Sequence, residues 1–243
     1  MIVDFYSEKY AAYDADFVCC KMTLEHIAAP AALLSALPNA VKGNHDAVVF
    51  FQVPESMRIF RACAFEDIYY EHCSYFTAGS LSRLFQRHGF APVRIATEYA
   101  GQYLTIEAAT AAAPPKTGET DDVGELSRYT ETFRERYRER VLRWRSRIQE
   151  SAAQGEAVVL WGSGSKAVSF LTALSVDREI RFVVDINPHK HGHFMPGTGQ
   201  EIVAPAALQE IRPGLVIVMN PVYVPEIQES MQNLGLFPVV VSL

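Results

Sequence analysis

Tyr69, Tyr70, Glu71 and His72 stand side by side in AFEDIYYEHCSYF, just ahead of a run with helical spacing. A histidine titrates near neutral pH and can take a proton, a carboxylate beside it can fix its tautomer, and tyrosine hydroxyls can donate to an oxygen that gains charge. The same side chains also occur as satisfied core or interface groups, and both readings stand at this point. A second set is Gly162-Ser163-Gly164-Ser165-Lys166-Ala167, which follows an apolar run and opens a helical one, with Asp185 closing the next apolar run. This is the layout of the dinucleotide fingerprint, in which free N–H groups at a helix N-terminus attract a phosphate. Gly162, Gly164 and Lys166 are therefore candidate substrate-phosphate contacts. The glycines serve equally well if all they do is turn a strand tightly into a helix. His189, His191 and His193 alternate in NPHKHGHF, but no Asp, Glu or Cys with ligand spacing completes a set, and no metal is expected there.

The elements that must carry these residues fall into two groups. Residues 16–21 and 47–53 are short apolar runs rich in Val and Phe, expected as strands buried on both faces. A short helix is expected over 31–37. Another spans 79–88, with Leu81, Leu84 and Phe85 on one face and Gly89 as its stop. Strands at 91–98 and 102–109 form a hairpin through Ala100-Gly101. Residues 111–124, rich in Pro, Gly and acids, read as a linker. An amphipathic helix from Glu125 to about Ser151 carries Leu126, Tyr129, Phe133, Tyr137, Val141, Trp144 and Ile148 in one stripe, with arginines and glutamates opposite. Apolar strands at 157–161, 181–185, 215–219 and 238–242, alternating with helices, imply a small three-layer α/β unit with a parallel sheet.

The chain has 243 residues, 49% of them hydrophobic, enough to bury a substantial core in one large or two small domains. Its net charge of −6 argues against an extended nucleic-acid surface. No apolar run is long enough to cross a bilayer, and the N-terminus lacks a signal-peptide layout, so a cytoplasmic location is the expectation. Cys19, Cys20, Cys63 and Cys73 lack paired spacing and are expected as free, mainly buried thiols.

DADFVCCKMTLEHIAAP resembles the fourth strand and following helix of class I S-adenosylmethionine-dependent methyltransferases. FEDIYYEHCSYFTAGSLSRLFQRHGF resembles the Tyr-x-Glu-His-x-Ser-Tyr-Phe segment of sugar C-methyltransferases that act on nucleotide-linked keto-deoxysugars. VLWGSGSKAVSF through VVDINPHKHGHFMPGT to IVAPAAL is similar to the C-terminal domain of the same family. The resemblance implies S-adenosylmethionine as cofactor and a place in deoxysugar biosynthesis. It also implies His72 as the base that removes a proton beside a carbonyl, Glu71 and Tyr69 as its partners, and His26 as a second polar group in the pocket.

The fold expected is α/β: a partial class I methyltransferase (Rossmann-like) sheet over 1–110, the linker 111–124, and a small three-layer Rossmann-like domain over 125–243. The first strand, glycine-rich loop and ribose-binding acid of a complete methyltransferase have no counterpart before Asp16, nor has the family's cysteine-rich zinc module. This chain alone is thus expected to lack a full grip on S-adenosylmethionine, and the edge of strand 16–21 is expected to be covered by a partner chain, a second copy or the N-terminal residues. Two other functions stay open: a non-catalytic remnant that binds a nucleotide or sugar phosphate or docks on a partner, and an NAD-dependent oxidoreductase using the glycine loop and Asp185.

Overall fold

Alternating burial along the strands sets the architecture. The structure, a computed structural model, describes residues 2–4, 6–7, 9–10, 15–41, 44, 46–110, 121–176 and 178–243. Most of the expected linker, residues 111–120, lies outside these. The chain divides into two compact units: Met1–Ala62 with Tyr70–Glu131, and Cys63–Tyr69 with Thr132–Leu243.

The first unit is built on β1 (Phe17–Lys21), β2 (Val48–Pro54), β3 (Phe90–Glu98) and β4 (Tyr103–Thr110), with α1 (Pro30–Ala40), α2 (Ser56–Ala62) and α3 (Ala78–Arg87). Sheet order is β1-β2-β4-β3. β1 runs parallel to β2, whereas β4 lies antiparallel to both β2 and β3. Four strands of a class I methyltransferase sheet are connected in this way, with the last strand slotted in antiparallel. Val49, Phe51 and Val53 are sealed under the helices with Leu81 and Phe85, but the intervening residues of β2 are only half-covered. β1 alternates exposed and half-buried, and Phe17 is 58% exposed. The expectation of burial on both faces is therefore corrected. These strands are packed on one face, because among the described residues the helices' apolar side chains reach only that side.

α1 runs on past Pro38, beyond its expected end at 37. Proline removes one helical hydrogen bond, but Leu34, Leu37, Ala40 and Val41 on the core side hold the last turn in place. α3 starts with a reciprocal cap. The Ser80 N–H donates to Thr77 Oγ1 (3.3 Å) and the Thr77 N–H to Ser80 Oγ (2.9 Å). Asp122 adds to this start by accepting from the Gly79 N–H at 2.8 Å. Gly89, with φ +82, stops the helix as expected.

The second unit carries five parallel strands: β5 (Val158–Trp161), β6 (Ile180–Val184), β7 (Glu201–Val203), β8 (Leu215–Val218) and β9 (Val239–Ser242), in the order β7-β6-β5-β8-β9. The helices are α4 (Val123–Ala153), whose residues from Thr132 belong to this unit, α5 (Ser165–Leu174), α6 (Leu208–Ile211) and α7 (Val224–Asn233). Successive strand residues enter opposite cores. Val158, Leu160, Leu215 and Ile217 pack with Trp144, Ile148 and Phe170, while Val159, Trp161, Val216 and Val218 pack with Ile227 and Met231. Both faces are covered, giving the three layers that the runs of valine imply. Among the described residues, no helix is long and apolar enough to cross a membrane.

Phe65, in a short 3-10 turn, belongs to this second core. Its ring meets Tyr137 edge-on at 5.3 Å and stacks over Phe170 at 6.2 Å. Beside it, Glu66 faces Arg140 (3.5 Å) and Asp67 pairs with Lys166 (3.0 Å). Burial pushes the Glu66 carboxyl above its usual range, partly offset by Arg140.

Candidate functional site

In the first unit the chain leaves β1 through Met22, held at φ +49, and enters a 3-10 turn over Leu24–His26. Leu24 is fully buried and anchors this turn in the core, so Glu25 and His26 are fixed in direction. The YYEH stretch is tied to the same turn by its backbone. The Glu25 carbonyl accepts from the Cys73 N–H (2.7 Å) and the Ser74 N–H (3.1 Å). His26 Nδ1 lies 3.1 Å from the Glu71 carbonyl oxygen. The His26 and His72 rings then meet edge-on, 4.8 Å between centroids.

His26 and His72 are thus brought together as a pair, a juxtaposition that 46 residues of separation hide in the sequence. Glu71 contributes differently from the role the resemblance implied. Its side chain is exposed, and its carbonyl, rather than its carboxylate, fixes a tautomer, that of His26. Tyr69 groups with the second unit, where its hydroxyl donates to Asp67 at 3.2 Å. Tyr70 is 95% exposed.

The residue that sequence reasoning missed is Glu25. It is 1% exposed, and among the described residues neither carboxylate oxygen meets a partner at full hydrogen-bond geometry, although the backbone N–H groups of Glu25 and Thr23 lie near enough to favour its charged form. Its Oε1 sits 4.0 Å from His26 Nε2. Burial pushes its carboxyl above the usual carboxylate range, with partial offset by the Glu25 backbone N–H, His26 and the Thr23 backbone N–H. The signal available was its place in LEHI, directly after a buried leucine at the end of an apolar strand. Glu25, His26 and His72 offer ligand-type atoms within 4.8 Å of one another, the group among the described residues close enough to be considered for a metal.

His26 also lines a cleft of about 880 Å³, with Tyr6, Cys20, Thr23, Ala29 and Leu33 among the other walls. Burial and the nearby Glu25 push the Cys20 thiol up to about 11, which makes it a poor nucleophile. Of the four cysteines only Cys63 is buried; Cys19 and Cys73 are exposed, correcting the expectation of mainly buried thiols. The cleft offers apolar walls, hydroxyls and an imidazole. It has no glycine-rich turn, since Gly43 is the single glycine in residues 1–62, and Asp4 is taken up by Lys9 and Tyr10. These residues do not by themselves fit the grip that a class I fold places on S-adenosylmethionine.

In the second unit Gly162 holds φ +107, a backbone conformation that residues with a Cβ rarely adopt, so this position favours glycine. Gly164 caps the start of α5. Lys166 is committed to Asp67. Asp185 turns back on the loop: it accepts from the Ser163 N–H (3.1 Å), the Ser163 hydroxyl, the Asn187 N–H (2.9 Å) and Lys190 (3.2 Å). A ribose would find this carboxylate already engaged, which weighs against the NAD reading. The three histidines do not converge on one point; His191 Nε2 contacts the Asp185 carbonyl at 2.7 Å, while His189 takes part through its backbone N–H, donated to Asn187.

Burial alone would raise the Asp185 carboxyl, but the hydrogen bonds from Ser163, Asn187 and Lys190 outweigh it and hold the pKa down at about 2. A depressed carboxyl stabilises the fold above its unfolded pKa and loses that contribution as pH falls through the folded value. Asp185→Asn is therefore expected to cost about 1–2 kcal/mol near pH 7, after allowance for solvent screening, with the difference from wild type shrinking toward about pH 2. Urea unfolding at several pH values measures this, and a cost that stays constant with pH would contradict it.

The fold is α/β and of the methyltransferase type. Residues 109–236, over half of the chain, match the family described as "C-methyltransferase C-terminal domain", and residues 3–95 match "Methyltransferase domain". The chain belongs to the S-adenosylmethionine-dependent C-methyltransferase family. It is 30% identical over 210 residues to C-methyltransferase NovU of Streptomyces niveus, an alignment that takes in 79% of this chain and 49% of that one. The chain therefore spans about half the length of this curated relative. Among solved structures, a variant of the 16S rRNA (adenine(1408)-N(1))-methyltransferase from Catenulisporales acidiphilia aligns with a TM-score of 0.32 and 19% identity, over 44% of this chain and 54% of that one.

Proposed function

We propose that this chain supplies the proton-removing side of a C-methyltransferase site, acting on a carbon beside a ketone in a nucleotide-linked keto-sugar or a similar small acceptor. The observation that carries this reading is the pairing of His26 with His72, with His26 on the wall of the cleft. Carbon is not nucleophilic until a proton leaves it. In this reading His72 takes that proton, the C–H bonding pair becomes the enolate π bond, and the carbonyl oxygen gains the charge. His26, with Nδ1–H held by the Glu71 carbonyl, stands beside the imidazolium so formed. S-adenosylmethionine, the methyl donor of the family, would supply the electrophilic methyl group.

The donor's grip is assigned to polypeptide that pairs with the free edge of β1. That strand ends the described sheet, with Phe17 and Val48 exposed beside it. A partner chain, a second copy or further residues of the same protein would complete the sheet there. A cytoplasmic setting and a place in deoxysugar biosynthesis follow as parts of the same proposal.

The reading is tested with methyl-labelled S-adenosylmethionine and a panel of nucleotide-linked keto-sugars. Label recovered in a carbon-bound methyl next to the ketone supports it. Label found only on oxygen or nitrogen, or transfer unaffected by the absence of a ketone, overturns it.

A further inference from the structure

We propose that the second unit carries a pocket for a flat ring with a lactam edge, the O=C–N–H edge shared by uracil, thymine and guanine. The pocket is built by the HFMPGTGQE stretch, which the transfer chemistry does not use. For its role the proposal rests on the reading of a nucleotide-linked acceptor, and it names the part of that acceptor this unit recognises. From Gly192 the chain folds back on β7 as a tight hairpin. The Gly192 N–H donates to the Ile202 carbonyl (2.9 Å), the Ile202 N–H to the His193 carbonyl (2.8 Å) and the Met195 N–H to the Gln200 carbonyl (2.8 Å). Gly197 and Gly199, both at φ +80, make the reversal. A cavity of about 260 Å³ lies against this hairpin, walled by Arg181, Phe182, Phe194, Thr198, Gln200 and Glu201. Sites that enclose a drug-sized molecule run from about 300 to 1,000 Å³, so this one suits a single planar group rather than a whole sugar nucleotide.

Three observations give the chemistry of the ligand. Gln200 is 3% exposed, and its Oε1 accepts from the Thr198 hydroxyl at 2.5 Å. That leaves Nε2 as a buried donor with no hydrogen-bond partner among the described residues. A buried amide donor is costly until an acceptor meets it, and a ring carbonyl is such an acceptor. Glu201, half-buried on the same wall, supplies a carboxylate that only accepts, so it calls for a ligand N–H and repels a bare anion. A carbonyl for the amide beside an N–H for the carboxylate is a lactam edge. Cytosine and adenine do not offer that pair. Lastly, Phe194 is 64% exposed, and the Arg181 guanidinium lies over the Phe182 ring, 5.6 Å from its centroid. Aromatic faces and guanidinium planes are the surfaces on which bases stack.

An ordered water is the competing partner for Gln200 Nε2. Water would satisfy the amide, but it gives no reason for an exposed phenylalanine at the same cavity. Arg181, itself exposed, stands where a phosphate following the base could meet it.

The test is calorimetry of the intact chain with the monophosphates of uridine, thymidine and guanosine against those of cytidine and adenosine, each up to millimolar concentration. The first three should bind at least about 10-fold more tightly than the other two, the margin of one well-formed base-edge pair. Gln200→Leu should weaken uridine monophosphate about 10-fold, and Phe194→Ala, at an exposed position that leaves the core intact, by a similar factor. Glu201→Gln, whose amide donates as well as accepts, should narrow the gap between uridine and cytidine. No binding at millimolar concentration, equal binding of all five, or binding that both Phe194→Ala and Gln200→Leu leave unchanged would overturn the proposal, with a water on Nε2 as the whole explanation. Selective binding by a chain whose methyl transfer needs no nucleotide on the acceptor would leave the pocket standing and remove the nucleotide-linked acceptor instead. Transfer to a nucleotide-linked keto-sugar with an unchanged KM in Phe194→Ala, and no nucleotide bound by calorimetry, would do the reverse.

Discussion

Replacing Phe65 with alanine is expected to destabilise the second unit by about 3–5 kcal/mol, the range for deleting a buried aromatic ring from a packed core. The residue is 5% exposed and lodged between Tyr137 and Phe170, which also packs on Trp144. Its removal opens a cavity bounded by two aromatic rings fixed on different helices, Tyr137 on α4 and Phe170 on α5. Long, well-anchored helices collapse poorly into such a space, so the upper part of the range is favoured. Phe65→Leu, which retains most of the volume, should cost far less. Thermal unfolding followed by tryptophan fluorescence reads this directly, since both Trp144 and Trp161 lie in the second unit. A loss under about 1 kcal/mol for Phe65→Ala would show that residues 63–69 do not belong to this core.

His72→Asn is expected to lower methyl transfer by at least about 100-fold, the lower bound for losing a positioned general base. Asparagine keeps a hydrogen-bonding side chain of comparable reach but cannot take a proton at neutral pH, so acceptor affinity should change little. The loss should therefore fall on kcat rather than on KM. Near-normal turnover would remove His72 from the proton-transfer role.

Much of the fold was legible because its strands are short and strongly patterned. VVLW, FVV and LVIV sit between helix-forming runs and have no other way to bury their side chains than a covered parallel sheet. β7 escaped notice because Glu201–Val203 is three residues long and follows an irregular loop, below the length at which periodicity speaks. α1 continues through Pro38 to Ala40 because core contacts offset proline's local penalty, and those contacts are not visible in the local sequence. Burial of β1 and β2 on both faces was expected from composition alone, but composition does not tell whether a second layer is present.

At the site, sequence pointed to His26 and His72 as residues of interest but not to the partnership between them and Glu25. A buried acid in LEHI looks like any surface glutamate until Leu24 is seen anchoring the turn. The tautomer-fixing group could not be read at all, since a backbone carbonyl leaves no mark on residue identity. Long-range placement is also why Phe65 gave no hint: its ring partners lie 72 and 105 positions away.

The most direct measurement is hydrogen–deuterium exchange at the carbon beside the ketone of a nucleotide-linked keto-sugar, followed by NMR in D₂O with the protein present and no methyl donor added. The account predicts protein-dependent exchange that His72→Asn abolishes. Exchange no faster than in buffer, or equally fast with the asparagine variant, would contradict it.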